Sequence, residues 1–186
     1  MEVDINLEAF VAAYVSAALF YSSEGDAPLD RNYDKDDIAE LVQMFANAAR
    51  RAREAGIDGL ELHAGHGYLV QSFLSPVTNT RTDEYGGSAE NRARLMVEIL
   101  RAVREAAGPG LALWVKLDGA ERGRKGGITI EDAIRNAGMA EAAGAQAIVV
   151  TAYHNTADGA LHSGSHTPQV PGLNIENAAR IKAAVK

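Results

Sequence analysis

The sequence predicts an α/β protein built from repeating strand–helix units. Three observations carry that prediction. Short aliphatic runs at 57–63, 111–117 and 145–151 alternate with segments whose apolar residues recur at helical spacing. The links from helix to strand are no more than Gly56, Gly108-Pro109-Gly110 and Gly144. The links from strand to helix are long in every case, and long loops inside a compact domain usually carry function. Loops at the same end of successive strands define one face, the carboxyl end, where barrels and doubly wound sheets place their chemistry.

Each element has its own justification. The pattern does not place residues 1–33, the N-terminal segment. Its apolar run, Ala9 to Tyr21, is shorter than the ~20 residues a membrane span needs. It follows Glu2, Asp4 and Glu8 rather than a basic leader, so it reads as a buried helix. The repeating domain occupies 34–186. Its first helix runs from Asp34 to Ala55, with a stripe of Ile38, Leu41, Val42, Phe45, Ala49 and Ala52, an Asp34 cap and a Gly56 stop. A strand, Ile57 to His63, leads into a polar stretch, Ala64 to Gly87. Ser88 caps a second helix reaching Ala107, with a stripe of Leu95, Ile99, Val103 and Ala106. Then come the strand Leu111 to Leu117, a loop Asp118 to Ile128, a helix capped by Thr129 and a strand Ala145 to Thr151. A last loop, Ala152 to Leu173, leads to a helix from Asn174.

Composition narrows the function. A chain of 186 residues, 47% apolar and 23% charged, matches one globular domain able to bury a core. The net charge of -7 disfavours a nucleic-acid partner and an anionic membrane surface, since both call for a basic face. The chain has no cysteine, which removes disulfides, thiol catalysis, cysteine-built zinc sites and iron–sulfur clusters. A reducing, cytoplasmic setting suits it.

The residues able to carry chemistry gather after the first strand. Alternation puts Glu61 and His63 on one face, with Leu60 and Leu62 on the other. His66 and Tyr68 follow, so two imidazoles and a phenol lie within six residues at a strand's carboxyl end. Lys116 sits inside an apolar strand, where an ammonium is expensive unless it meets an anion. Structural roles are open to the same residues: His66 as a hydrogen-bonded loop residue, Tyr68 as core packing, Lys116 as the partner of Glu61. His154, His162 and His166 lie in a Gly/Ser-rich loop; their loose spacing favours solvated residues over metal ligands. From pattern alone, an enzyme on an α/β scaffold is favoured, with its reaction open.

The stretch from Phe45 to Arg104 resembles the old yellow enzyme family of flavin-dependent oxidoreductases, through AGIDGLELH, HGYL, FLSP, RTDEYGGS and ENR at fixed spacing. The likeness continues through WVKLDG, GGITIEDA, AEAAGAQAIVV and VPGLNIENAARIKAAVK, and so covers 34–186. It is strongest to the branch containing bacterial 2,4-dienoyl-CoA reductases and NADH oxidases. The resemblance implies a partial (β/α)8 TIM barrel, roughly its middle strands and helices, with FMN as cofactor and NAD(P)H as reductant. It implies reduction of an activated C=C bond in an enone or enoyl substrate. By residue, it implies that His63 and His66 hold the substrate's carbonyl oxygen, that Tyr68 gives the α-carbon its proton, and that Lys116, with His63, contacts the flavin. The family usually has arginine where Lys116 stands; lysine is a point donor, not a planar fork. Asn79, Arg81, Asp83, Tyr85, Gly86, Gly87, Asn91 and Arg92 are implied to be scaffold.

A complete barrel takes about 250 residues. The chain is therefore expected to be a fragment or a shortened relative, without the family's first strands and its last two. Two rival readings accompany the flavoenzyme. One is a non-catalytic partial barrel that assembles with itself or a partner through open sheet edges. The other is a metal-dependent hydrolase using His63, His66 and the later histidines.

Overall fold

The computed structural model describes residues 33–154, 172 and 174–186. The apolar run Ala9 to Tyr21 lies outside the described residues, as do His162 and His166. The elements are α1 (Lys35–Glu54), β1 (Gly59–Ala64), α2 (Leu69–Leu74), α3 (Ala89–Ala107), β2 (Ala112–Arg122), α4 (Ile130–Ala142), β3 (Ala147–His154) and α5 (Ile175–Ala184).

Local chemistry starts the helices where the sequence predicts. The Asp34 carboxylate accepts the N–H groups of Asp36 and Asp37 at 2.9 Å, and Asp37 accepts the Asp34 N–H at 2.8 Å. Thr129 and Asp132 make the same reciprocal box at α4, and the Ser88 hydroxyl accepts the Asn91 N–H at α3. Along α1, Ile38, Leu41, Ala49 and Ala52 are buried while Val42 and Phe45 pack at the edge of the core. Helix α3 buries Leu95, Ile99 and Val103 of its stripe and leaves Ala106 half-buried.

The strands form a parallel sheet in the order β1-β2-β3. Its two faces differ. Leu62, Leu113, Val115 and Leu117 are buried, and Leu60, Ile148 and Val150 pack beside them into the helix-lined core. The other face carries Glu61 and His63 from β1, Trp114 and Lys116 from β2, and the exposed Val149 from β3.

Several boundaries depart from the sequence reading. Strand β2 runs on to Arg122, so 118–122 of the predicted loop is strand; after an irregularity between Asp118 and Glu121 the ladder resumes at Glu121↔Tyr153 and Arg122↔His154. Its polar residues hid it, because the pairing is set by β3 rather than by an apolar run. Strands β1 and β3 each begin two residues later than predicted and end later too, β1 at Ala64 and β3 at His154, so 152–154 of the last predicted loop is strand. The polar stretch 64–87 contains α2, whose six residues are too few to show a helical period, yet Val70, Phe73 and Leu74 are all buried.

Candidate active site at the carboxyl end of the sheet

The predicted residues meet at the carboxyl end of β1 and β2. His63 lies on the last turn of the β1 pleat and pairs in register with Lys116. The chain then turns sharply. His66 has φ 61°, the only positive φ at a non-glycine among the described residues. Such a conformation costs on the order of 1–2 kcal/mol and persists only when the surroundings hold it. Here they do: the His66 N–H donates to Asp118 Oδ2 at 2.9 Å, and its ring Nε2 lies 2.6 Å from Thr151 Oγ1. The turn folds the rings of His63, His66 and Tyr68 together. The His63 centroid is 5.0 Å from that of His66 and 5.1 Å from that of Tyr68, both edge-to-face; His66 and Tyr68 are 6.5 Å apart. Tyr68 keeps 41% of its surface exposed, so it borders the open face rather than the core.

The electrostatics fix the protonation of His63. Burial, with the neighbouring His66 and the Lys116 ammonium, presses its pKa down to about 4 against the pull of Glu61. The ring is therefore neutral at pH 7. Its Nδ1 accepts the Gly65 N–H at 3.3 Å, which assigns the ring proton to Nε2 and leaves His63 a donor there.

Lys116 finds the anion its strand position demands. Its Nζ is 2.8 Å from Glu61 Oε1, and the Trp114 indole N–H donates to Glu61 Oε2 at 2.8 Å. Burial pushes the Glu61 carboxyl up, but the Lys116 and Trp114 donors outweigh it and hold the pKa below the usual glutamate value. The pairing of Lys116 with Glu61, one of the structural readings, is thus present in this structure.

The loop between α2 and α3 is held by its own polar network. Asn79 donates to the carbonyls of Phe73 and Tyr85, both at 2.7 Å, and accepts the Arg81 N–H. Arg81 forks onto Asp83 and lies over the rings of Phe73 and Tyr85. Arg92 donates to the Leu74 carbonyl. Gly86 is obligatory, since a Cβ there would lie 2.0 Å from the Arg81 carbonyl oxygen. On β2, the buried Glu121 accepts from Ser75 Oγ at 2.6 Å and from the Ile128 N–H at 2.7 Å, tying the next loop to the end of α2.

A family model matches residues 2–173. The chain belongs to the NADH:flavin oxidoreductase / NADH oxidase family. Among curated relatives it is 45% identical over 117 residues to an NADPH dehydrogenase of Geobacillus sp. strain WCH70, covering 62% of this chain and 33% of that one. It is 43% identical over 116 residues to an NADH oxidase of Thermoanaerobacter brockii, covering 62% and 18%. Among solved structures, a 2-naphthoyl-CoA reductase superposes with a TM-score of 0.72 at 34% identity over 83% of this chain and 23% of that one. The old yellow enzyme homologue of Zymomonas mobilis gives 0.64 at 27% identity over 84% and 41%. The chain thus spans about a third or less of the length of those curated relatives. Within this family its fold is a partial (β/α)8 barrel, and the polar sheet face is the barrel interior.

Sequence reasoning named His63, His66, Tyr68 and Lys116, which the structure brings together, and missed the residues that hold them. Asp118 and Thr151 are register partners on β2 and β3, and only the pairing of the strands brings them under the His66 loop. Trp114 had a legible signal, its even spacing from Lys116 along β2. Among the described residues no group of three or more His, Cys, Asp or Glu side chains is arranged to hold a metal ion. No helix among them is long and apolar enough to cross a membrane.

Proposed function

We propose that this chain is the central part, 34–186 with its N-terminal approach 1–33, of an FMN-dependent oxidoreductase of the old yellow enzyme type. Such an enzyme passes hydride from NAD(P)H, through the flavin, to an activated C=C bond. The observation that carries the reading is the packed His63–His66–Tyr68 cluster beside Lys116, on an open barrel-interior face in a chain of this family.

The donor set fits the ring half of FMN. His63 offers an N–H from a neutral ring and Lys116 an ammonium, both toward a face that also presents Val149. FMN, when bound, supplies the two-electron relay between nicotinamide and alkene. In this fold the phosphate is commonly held by loops after strands seven and eight, so parts of the barrel other than these β/α units are expected to hold it. The chain's own residues then act on the substrate. His63, and His66 beside it, bind a carbonyl oxygen and draw charge onto it, which makes the conjugated β-carbon electrophilic. Tyr68, half-exposed at the rim, holds a phenolic proton for the α-carbon. The substrate is a small enone or enoyl compound, and the cysteine-free composition suits a cytoplasmic enzyme.

The test is direct. Protein expressed from the complete reading frame is expected to purify yellow and to oxidise NAD(P)H in proportion to added cyclic enone. A colourless protein that binds no FMN and leaves enones unreduced would reject the reading.

A second reading has its own observation. Strands β1 and β3 are both unpaired on their outer sides among the described residues, and open edges favour association. Light scattering on the 186-residue chain tests it: oligomers support assembly, and a stable monomer opposes it.

A further inference from the structure

The His66 turn rests on a carboxylate to which the sequence reading assigns no role. Asp118 is buried, and its Oδ2 accepts the His66 N–H at 2.9 Å. Its Oδ1 is buried without a hydrogen-bond partner among the described residues. A Cβ on Gly65 would come within 3.0 Å of that Oδ1 and 3.1 Å of Thr151 Cγ2, so the loop backbone lies directly on the Asp118–Thr151 pair. Thr151 in turn takes the His66 ring. Main chain and side chain of His66 are therefore held by register partners on β2 and β3, and Tyr68 follows two residues on.

We propose that Asp118 is the positioning residue of the site: through the His66 N–H its carboxylate holds the left-handed turn that sends the His66 ring to Thr151 and sets Tyr68 against His63. A half-satisfied buried carboxylate is an unusual choice for a merely structural acceptor, because an amide or hydroxyl oxygen would serve without a charge to desolvate. What the carboxylate adds is a charge-assisted bond that depends on pH.

The groups facing Asp118 support that dependence. The loop supplies the His66 N–H and, on Thr151, the titratable His66 ring; β3 supplies the uncharged Thr151, and its own strand supplies Glu121, which repels it. Burial lifts the carboxyl to about 7, the His66 N–H opposes the rise, and Glu121 adds to it. The His66 turn is consequently held most firmly above neutrality and loosens as the carboxyl takes up its proton.

The catalytic meaning of this inference rests on the proposed function, but its structural core does not, and the test uses neither flavin nor substrate. Amide and aromatic NMR spectra of the 186-residue chain are recorded across pH 5–9 for the parent, Asp118→Asn and Asp118→Ala. In the parent the His66 amide is expected to shift with a midpoint near 7. Asp118→Asn keeps an acceptor oxygen, so the His66 amide should stay dispersed and stop titrating near 7. In Asp118→Ala it should move to the random-coil position, and the Tyr68 ring protons should lose the ring-current shift that comes from the His63 ring. A parent His66 amide that does not titrate near 7, an Asn variant that still does, or an Ala variant with His66 and Tyr68 signals unmoved would each overturn the inference. Should the Ala variant fail to fold, the Asn variant and the parent decide it.

Discussion

The two faces of the sheet follow opposite rules. On the helix side, Leu113, Val115 and Leu117 are buried against α-helical residues such as Leu100 and Ile99, and no polar side chain is needed. On the other side, the alternate positions of the same strands carry Glu61, His63, Trp114 and Lys116. Parallel sheets are normally apolar on both faces. A parallel sheet with one charged, half-open face departs from that pattern, and this is the face the proposed function assigns to the ligand. The difference teaches where to look: apolar-face residues pack the sheet onto the helices, and the polar face is where a ligand would find donors.

Substitutions on each face sharpen that contrast. The largest effect is expected from Tyr68→Phe in the flavin-loaded enzyme. Loss of a general acid lowers rates by about 10²–10⁴-fold, so alkene reduction should slow by that factor while flavin reduction by NAD(P)H stays near normal. Stopped-flow measurement of the two half-reactions separates them; equal slowing of both would assign Tyr68 a structural role.

Leu100→Ala, on the helix side, should behave in the opposite way. The side chain is wholly buried in α3, and such truncations cost about 2–5 kcal/mol. Denaturant unfolding should show that loss, while the pH dependence of His63 in the remaining folded protein stays put.

Next comes Asp118. Burial lifts its carboxyl to about 7 in the folded chain, from the ordinary 3.8 of an exposed aspartate in the unfolded one. Between these values the folded state binds more protons than the unfolded one, so stability falls as pH rises from about 4 to 7. Asp118→Asn removes that fall, an effect of up to about 4 kcal/mol at pH 8. His63 acts with the opposite sign over a neighbouring window. Its pKa drops from 6.5 to about 4 on folding, so stability is full above 6.5 and declines as pH falls toward 4. Unfolding curves at a series of pH values, for the parent and Asp118→Asn, resolve the two slopes.

The smallest effect belongs to the donor pair. His63→Ala should weaken phenol-like and enone ligands of the loaded enzyme by about 1.5–3 kcal/mol, the worth of a hydrogen bond to a charged or charge-developing oxygen. Titration by charge-transfer absorbance reads it. Unchanged affinity would place the substrate oxygen elsewhere.

The sequence by itself determined the order of elements, the caps and the chemical residues. Asp34, Ser88 and Thr129 start their helices through side chains a few residues from the groups they cap. The apolar stripes of α1 and α3 follow from a fixed helical period. His63, His66, Tyr68 and Lys116 were legible because motif and strand alternation are local properties. The tertiary structure alone decided how those residues are held. Asp118 lies 52 residues from the His66 N–H it accepts, and Thr151 lies 85 from the His66 ring. No local pattern encodes either contact; both arise from the register of three parallel strands. The same register let β2 continue to Arg122, where composition read as loop, and it buried Glu121 as the anchor of the following turn. Short-range hydrogen bonds and periodicity are written along the chain, whereas burial, a raised carboxyl pKa and a strained turn exist only once distant strands are paired.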